Sequence, residues 1–332
     1  MVEEIYKNIY RIGVALPGNP LKELNSYFIK GVDDDHDLLI DTGFRRPVCR
    51  QALEDGLRQL GSEDDRRQML VTHLHSDHSG MADIFAGKNQ PIYLTGMDIK
   101  YLSRFYSGEL TDPRHDRFTS EGFTGDLLNE MYRINPAMTE KIPEMDRRFR
   151  PLSEGETISV GEYVLQTVSV PGHTPGNAMF YMKDQKIMFT GDHVLFDISP
   201  NITWWPDMED SLGSYLDSLK KALDYDVDIA FPGHRHSGNY RVRIKELLKH
   251  HEKRLENAVS IIRDHPGMNA YDITGLMKWK IHARNWDEFP IVQKWFAVGE
   301  CLAHLDYLCL RGRIRKEKDG DTWRYFVCQT GR

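Results

Sequence analysis

The chain has 332 residues, a hydrophobic share of 40% and a formal net charge of -7, which suits one large domain with a buried core plus a smaller one. No apolar run approaches the ~20 residues that cross a bilayer, and Met1-Val2-Glu3-Glu4-Ile5 lacks the basic-then-apolar order of a signal peptide, so a cytoplasmic protein without membrane contact is expected. The acidic balance counts against nucleic acid, which is gripped by clustered Lys and Arg: residues 256–332 carry 12 Lys and Arg against 10 Asp and Glu, leaving -9 on residues 1–255.

In chain order, residues 6–14, 25–30 and 38–41 read as strands, with a turn at Asp33-Asp34-Asp35, and residues 47–60 as a helix. Residues 68–72 then form a short buried strand, and a helix starts over 80–85. Between them, Val71-Thr72-His73-Leu74-His75-Ser76-Asp77-His78-Ser79-Gly80 packs three imidazoles and a carboxylate into six residues. A single buried His ordinarily satisfies a core hydrogen bond; four such groups at this spacing point to metal. Imidazole with carboxylate favours zinc, iron or manganese over calcium or magnesium. His73 and His75 alternate to one side of an extended segment while Asp77 and His78 lie where the backbone turns, so one segment reaches two neighbouring metal positions.

Residues 91–94 are a further strand. Residues 97–150 show Met, Tyr, Phe and Leu at helical spacing among many charges, a helical insertion whose Tyr101, Phe105, Tyr106 and Met131 are candidate pocket walls. Strands resume at 163–170, 177–182 and 187–191, followed by the adjacent Trp204 and Trp205 on a loop and a helix at 213–223 with the apolar stripe Tyr215, Leu216, Leu219 and Leu223. A long amphipathic helix over 240–263, helices over 269–279 and 290–310, and a hairpin of 313–318 with 321–328 around Asp319-Gly320 give a winged-helix outline. Cys49, Cys301, Cys309 and Cys328 form no Cys-x-x-Cys pair and lie outside the metal motif, so they are expected as reduced structural thiols.

The His-x-His-x-Asp-His run resembles the first metal motif of the metallo-β-lactamase superfamily. Val170-Pro171-Gly172-His173-Thr174-Pro175-Gly176, Phe189-Thr190-Gly191-Asp192 and Phe231-Pro232-Gly233-His234 resemble its later motifs in order, and Leu39-Ile40-Asp41-Thr42-Gly43 its early strand. The resemblance implies an α/β (α+β) fold, a four-layer αββα sandwich over residues 1–255, with residues 256–332 as a winged-helix-like C-terminal domain. It assigns His73, His75 and His173 to one metal, Asp77, His78 and His234 to the other, Asp192 to both, and to Asp41 the orienting of the ligand loop. Two divalent transition-metal ions follow, zinc first, with iron or manganese as alternatives. Where His75 stands, flavin-partnered di-iron relatives usually carry Glu, so hydrolysis is favoured over redox chemistry. His236 and His193 read as loop imidazoles outside the ligand set.

The catalytic domain with this tail is similar to glyoxalase II and to a β-lactamase-like subfamily that includes mitochondrial endoribonucleases and fungal polyketide thioesterases. The expected function is hydrolysis of a small ester, thioester or lactone by a hydroxide bridging the two metals, with Asp77 and Asp192 as catalytic groups and Asp77 shuttling a proton. The alternatives are a metal-dependent endoribonuclease on single-stranded RNA, its backbone held by Arg311, Arg313, Arg315 and Lys316, and a non-enzymatic winged-helix regulator with an inactive hydrolase domain.

Overall fold

The strand expected over residues 6–14 starts at Ile9, and Tyr6 ends an earlier strand. Val2–Tyr6 (β1) and Ile9–Ala15 (β2) pair antiparallel around Asn8, which takes φ 56°, a left-handed turn that Asn tolerates better than most residues. The computed structural model describes residues 1–32, 35–280 and 283–328; Asp33 and Asp34 of the expected turn lie outside them. The described chain forms two compact units, the first made of Met1–Ser107, Glu140–Pro200 and Ser218–Ile244, the second of Gly108–Thr139, Asn201–Asp217 and Lys245–Arg332.

In the first unit, β1 and β2 are followed by Glu23–Ile29 (β3), Asp37–Ile40 (β4), Arg67–Leu70 (β5), Ile92–Thr95 (β6) and Phe149–Leu152 (β7), which make a seven-stranded sheet in sequence order. The first four strands are antiparallel and the last three join in parallel. Thr157–Val160 (β8), Tyr163–Ser169 (β9), Ala178–Met182 (β10), Ile187–Gly191 (β11) and Ile229–Pro232 (β12) make a second sheet in the order β12-β11-β10-β9-β8. Its strands are antiparallel except for the parallel pair β11 and β12.

Alternation along the strands turns apolar side chains inward from both sheets. Ile9, Tyr27, Ile29, Leu38, Ile40 and Leu70 share one buried cluster with Leu165, Phe180, Met182, Ile187, Phe189 and Phe231. The helix Pro47–Gln59 covers the outer face of the first sheet, burying Leu53 and Leu57 where Gly56 lies against Ile12. The result is the layered mixed architecture expected. Two polar ties cross between the sheets: the Tyr27 hydroxyl donates to the Pro232 carbonyl at 2.7 Å and the Asn25 amide to the same oxygen at 3.0 Å.

In the second unit, Thr111–Ser120, Gly125–Ile134, the long helix Tyr240–Asp264 from residue 245 on, Ala270–Leu276 and Ile291–Leu310 accompany a hairpin of Ile314–Asp319 (β13) and Thr322–Val327 (β14). Asp319 pairs with Thr322, so the two turn residues are Gly320 and Asp321, one position later than expected. Glycine stands first with φ 61°, as two-residue hairpin loops of the II′ kind require. Tyr325 on β14 donates its hydroxyl to both oxygens of Glu121 at 2.8 and 3.0 Å. Arg117 joins them, 3.2 Å from Glu121 and 2.8 Å from Asp306. Trp204 and Trp205 lie against guanidinium groups, Arg117 at 5.7 Å and Arg114 at 5.4 Å from the ring centres, a packing role for that pair. Within the stretch read as an insertion, Tyr101 and Met131 are buried while Tyr106 is exposed. All four cysteines are free thiols. Among the described residues no helix is long and apolar enough to cross a membrane.

Candidate metal centre

Every residue named as a ligand lies just beyond the C-terminal end of a strand in the first unit: His73 to His78 after β5, His173 after β9, Asp192 after β11 and His234 after β12. Strands that run the same way deliver their following loops to one edge, where open α/β sheets place their ligands. Asp77 and His78 sit in a helical turn, Ser76–Ser79, where the backbone was expected to turn. That turn brings the His78 ring to within 4.1 Å of His73, centre to centre, and points Asp77 toward His234.

Three overlapping groups result: His73, His75 and His173; His73, His78 and Asp192; Asp77, His78 and His234. His73 Nε2 is 3.0 Å from His75 Nδ1, and His78 Nε2 is 3.2 Å from His234 Nε2. Asp192 faces both sides, with Oδ2 3.8 Å from His173 Nε2 and Oδ1 3.5 and 3.6 Å from Nε2 of His78 and His234. Asp77 Oδ2 is 3.4 Å from His234 Nε2. Gly233 lets these groups converge, since a Cβ there would lie 2.6 Å from Asp192 Oδ1 and 2.7 Å from His78 Cε1.

Hydrogen bonds behind the imidazoles set which nitrogen faces inward. Asp41 accepts from the Thr72 amide and hydroxyl, both at 2.8 Å, and from His78 Nδ1 at 2.7 Å. The Thr72 oxygen is 3.0 Å from His73 Nδ1, and because its own proton goes to Asp41 it accepts from that ring. His234 Nδ1 donates to the Glu23 carbonyl at 2.8 Å. With Nδ1 carrying the proton in each case, Nε2 of His73, His78 and His234 turns a lone pair inward.

Two lone pairs 3.2 Å apart need a cation or a proton between them. Without a metal, protons fill that place: burial pulls His78 and His234 down, but Asp192 beside both pushes each above its ordinary value. Burial works to raise Asp192 and Asp77, yet His234 and His78 hold Asp192 far below the carboxylate range, and His78 and His234 hold Asp77 at about 2. Burial drives His73 well below its ordinary value and His75 down to about 3, leaving neutral rings of the kind metals bind. The residues fit divalent transition-metal ions in donor type, protonation and convergence.

His236 is an exposed loop imidazole, 3.1 Å from Asp197, as expected. His193 is not: it is fully buried, and burial lowers it to about 3. Sequence reasoning also passed over Asp98, fully buried at the start of the helix Gly96–Tyr106. Its carboxylate accepts from the Leu74 amide at 2.8 Å, the Thr174 hydroxyl at 2.9 Å and the Gly176 amide at 2.7 Å, and burial pushes it up to about 7. A further His/Glu grouping, His250, His251 and Glu300, lies in the second unit, where Arg254 stands 2.9 Å from Glu300 and supplies the positive charge itself.

A model of the family described as the metallo-beta-lactamase superfamily matches residues 22–234, and one described as the metallo-beta-lactamase-like C-terminal domain matches residues 260–328. An atrochrysone carboxyl ACP thioesterase of Aspergillus fumigatus is 24% identical over 218 residues, 66% of this chain and 39% of that protein. The lactamase-like protein adaB of Aspergillus niger is 24% identical over 266 residues, 79% of this chain and 66% of that protein. The chain thus spans less than two thirds of either curated relative. Among solved structures, a metallo-beta-lactamase family protein of Thermus thermophilus superposes with a TM-score of 0.81 at 27% identity, covering 96% of this chain and 98% of its own. A beta-lactamase domain protein of Burkholderia ambifaria gives 0.84 at 26%, covering 98% and 94%.

Proposed function

This chain belongs to the metallo-beta-lactamase superfamily, and we propose that it is a hydrolase of small acyl substrates, an ester, thioester or lactone, working with two divalent transition-metal ions, zinc first. In this reading residues 1–255 carry the catalysis and residues 256–332 are a winged-helix-like tail. The observation that carries it is Asp192, whose two oxygens face two different sets of imidazoles. His73, His75 and His173 would hold one ion, Asp77, His78 and His234 the other, and Asp192 both. Bound there, such ions polarise an acyl oxygen and acidify water.

The chain's own groups complete the chemistry. Asp41 fixes the His78 ring, and through Thr72 the His73 ring, so neither has to reorganise during turnover. Asp77 is ionised at neutral pH and its side chain is 12% exposed, against 0% for His78 and His234. It is the group that takes the proton of the attacking water and hands it to the departing oxygen or sulfur. No Ser or Cys nucleophile is required. The thioesterase name of one relative supports an acyl substrate.

The test is a panel of thioesters, lactones, β-lactams and single-stranded RNA against purified protein of measured metal content. Turnover of an acyl substrate that vanishes on chelation and returns with metal is expected; cleavage of RNA alone would overturn the reading. The tail supplies a second check. Arg311 pairs with Asp210 at 2.8 Å, Arg313 with Glu256 at 3.0 Å, Lys316 with Asp306 at 3.5 Å, and Arg315 with Glu317. Cations already paired with acids make poor phosphate clamps. Changing all four to Ser should therefore leave acyl turnover within about twofold, whereas an RNA-binding wing would lose affinity and salt dependence, roughly 0.7 in log–log slope for each phosphate no longer neutralised.

A further inference from the structure

We propose that Asp98 is a positioning residue that clasps the two loops bearing His73, His75 and His173, and so governs one metal position and not the other; this rests on the two-ion reading above. The clasp is built from three directions. The Leu74 amide, donating to Asp98 Oδ2 at 2.8 Å, lies between His73 and His75, so holding it fixes both imidazoles that flank it. The Thr174 hydroxyl, on the same oxygen at 2.9 Å, belongs to the residue after His173. The Gly176 amide takes Oδ1 at 2.7 Å, and the Gly176 carbonyl accepts from Thr95 Oγ1 at 2.5 Å. One helix start therefore grips the His173 loop by both its donor and its acceptor. Gly176 is what allows so close an approach: a Cβ there would lie 2.6 Å from the Asp98 amide nitrogen and 2.7 Å from its Oδ1.

The other three ligands are held differently. His78 is bonded to Asp41 at 2.7 Å, its carbonyl accepts from the Thr42 amide at 2.8 Å, and His234 is bonded to the Glu23 carbonyl at 2.8 Å. None of those bonds involves Asp98. Asp41 also reaches the His73 ring through Thr72, but the Asp98 bonds go to the segments bearing His73, His75 and His173, a geometry in which one ion can be loosened while the other stays. A buried carboxylate with three donors on two oxygens is also poorly replaced by an amide, because the amide's NH2 must face one of the donors it displaced.

The test compares full-length wild type, Asp98→Asn and His173→Ala, each stripped of metal and titrated with cobalt(II) against a chelating indicator, with the melting temperature of the metal-free proteins as the readout of structure. His173→Ala marks the binding step that belongs to the first position. Asp98→Asn is expected to weaken that same step about 10- to 100-fold, the usual range for a partner behind a ligand, and to leave the other step within about twofold. A merely structural role would lower the melting temperature and weaken both steps alike; that result, or two unchanged steps, overturns the clasp. If Asp98→Asn fails to fold, Thr174→Val, which removes one of the three bonds, should weaken the same step by a smaller factor, and no change there overturns the clasp. Wild type taking up one ion in excess cobalt would refute the two-ion reading on its own account. The clasp then stands or falls on whether Asp98→Asn follows His173→Ala on the single step, weakening it if that variant does and sparing it if that variant does.

Discussion

Asp192→Ala is expected to reduce the protein from about two ions per chain to none and to lower hydrolysis roughly a thousandfold or more, the equivalent of about 4 kcal/mol in barrier. Elemental analysis and acyl turnover on the same sample provide the check. The effect is large because the two oxygens of this carboxylate lie within 4 Å of imidazoles from both sets, and because removing it leaves His78 and His234 with Nε2 atoms 3.2 Å apart. A variant that retained both ions would remove Asp192 from the centre of the site. His236→Ala, at an exposed loop position, should leave both readouts unchanged. His193→Ala should keep its metals but lose about 2 kcal/mol of stability, because it empties a fully buried position.

The second large effect lies at Glu121. Burial raises this carboxyl from 4.5 to about 7 in the folded chain, although Arg117 and Tyr325 pull it the other way. A raised folded pKa means the native state binds the proton more tightly. The stabilisation is therefore complete below pH 4.5 and disappears as pH climbs through 7. At 1.36 kcal/mol per unit the loss is about 3 kcal/mol.

The neutral, buried His251 and His304 give a slope of the opposite sign at lower pH, so the quantity to measure is the difference between wild type and Glu121→Gln, in which they cancel. Relative to wild type, the Gln variant should gain about 3 kcal/mol between about pH 4.5 and 8. Urea titrations followed by tryptophan fluorescence report it selectively, since Trp204, Trp205, Trp279, Trp286, Trp295 and Trp323 all belong to the second unit. A difference that stays flat with pH would mean Glu121 is ionised in the fold.

What could be read from the sequence and what could not follow different physics. The seven candidate ligands announce themselves because four fall in one dense His-x-His-x-Asp-His run and three in short His or Asp motifs that directly follow Gly, and the structure gathers all seven at one edge. Asp98 gives no such signal: it sits in the ordinary-looking run Thr95-Gly96-Met97-Asp98, and its donors are two backbone amides and a hydroxyl from segments 24 and more residues away. The strands passed over, β1, β7 and β8, are all at sheet edges. With a solvent-facing side they carry Glu3, Glu4, Arg150 and Pro151, the residues that blunt an edge and erase the apolar run by which central strands are recognised. The hairpin turn slipped by one residue because Asp319-Gly320 and Gly320-Asp321 are both good two-residue loops, and the register is settled by Tyr325 reaching Glu121.

The parallel pairing of β11 with β12 has a consequence for how the protein is made. Asp192 and His234 lie 42 positions apart, yet Gly191 and Pro232 before them are register partners, so the last ligand reaches the edge only after the whole intervening segment has left the ribosome and β12 has added to the sheet. At ~5–20 residues per second, that interval lasts seconds. Through it the emerging chain exposes His73, His75, His78 and His173 with one wall of the centre missing, when a soft or abundant cation could settle on an incomplete set. In the two-ion reading, the order in which strand and ion arrive would then bear on metal loading beside the finished geometry.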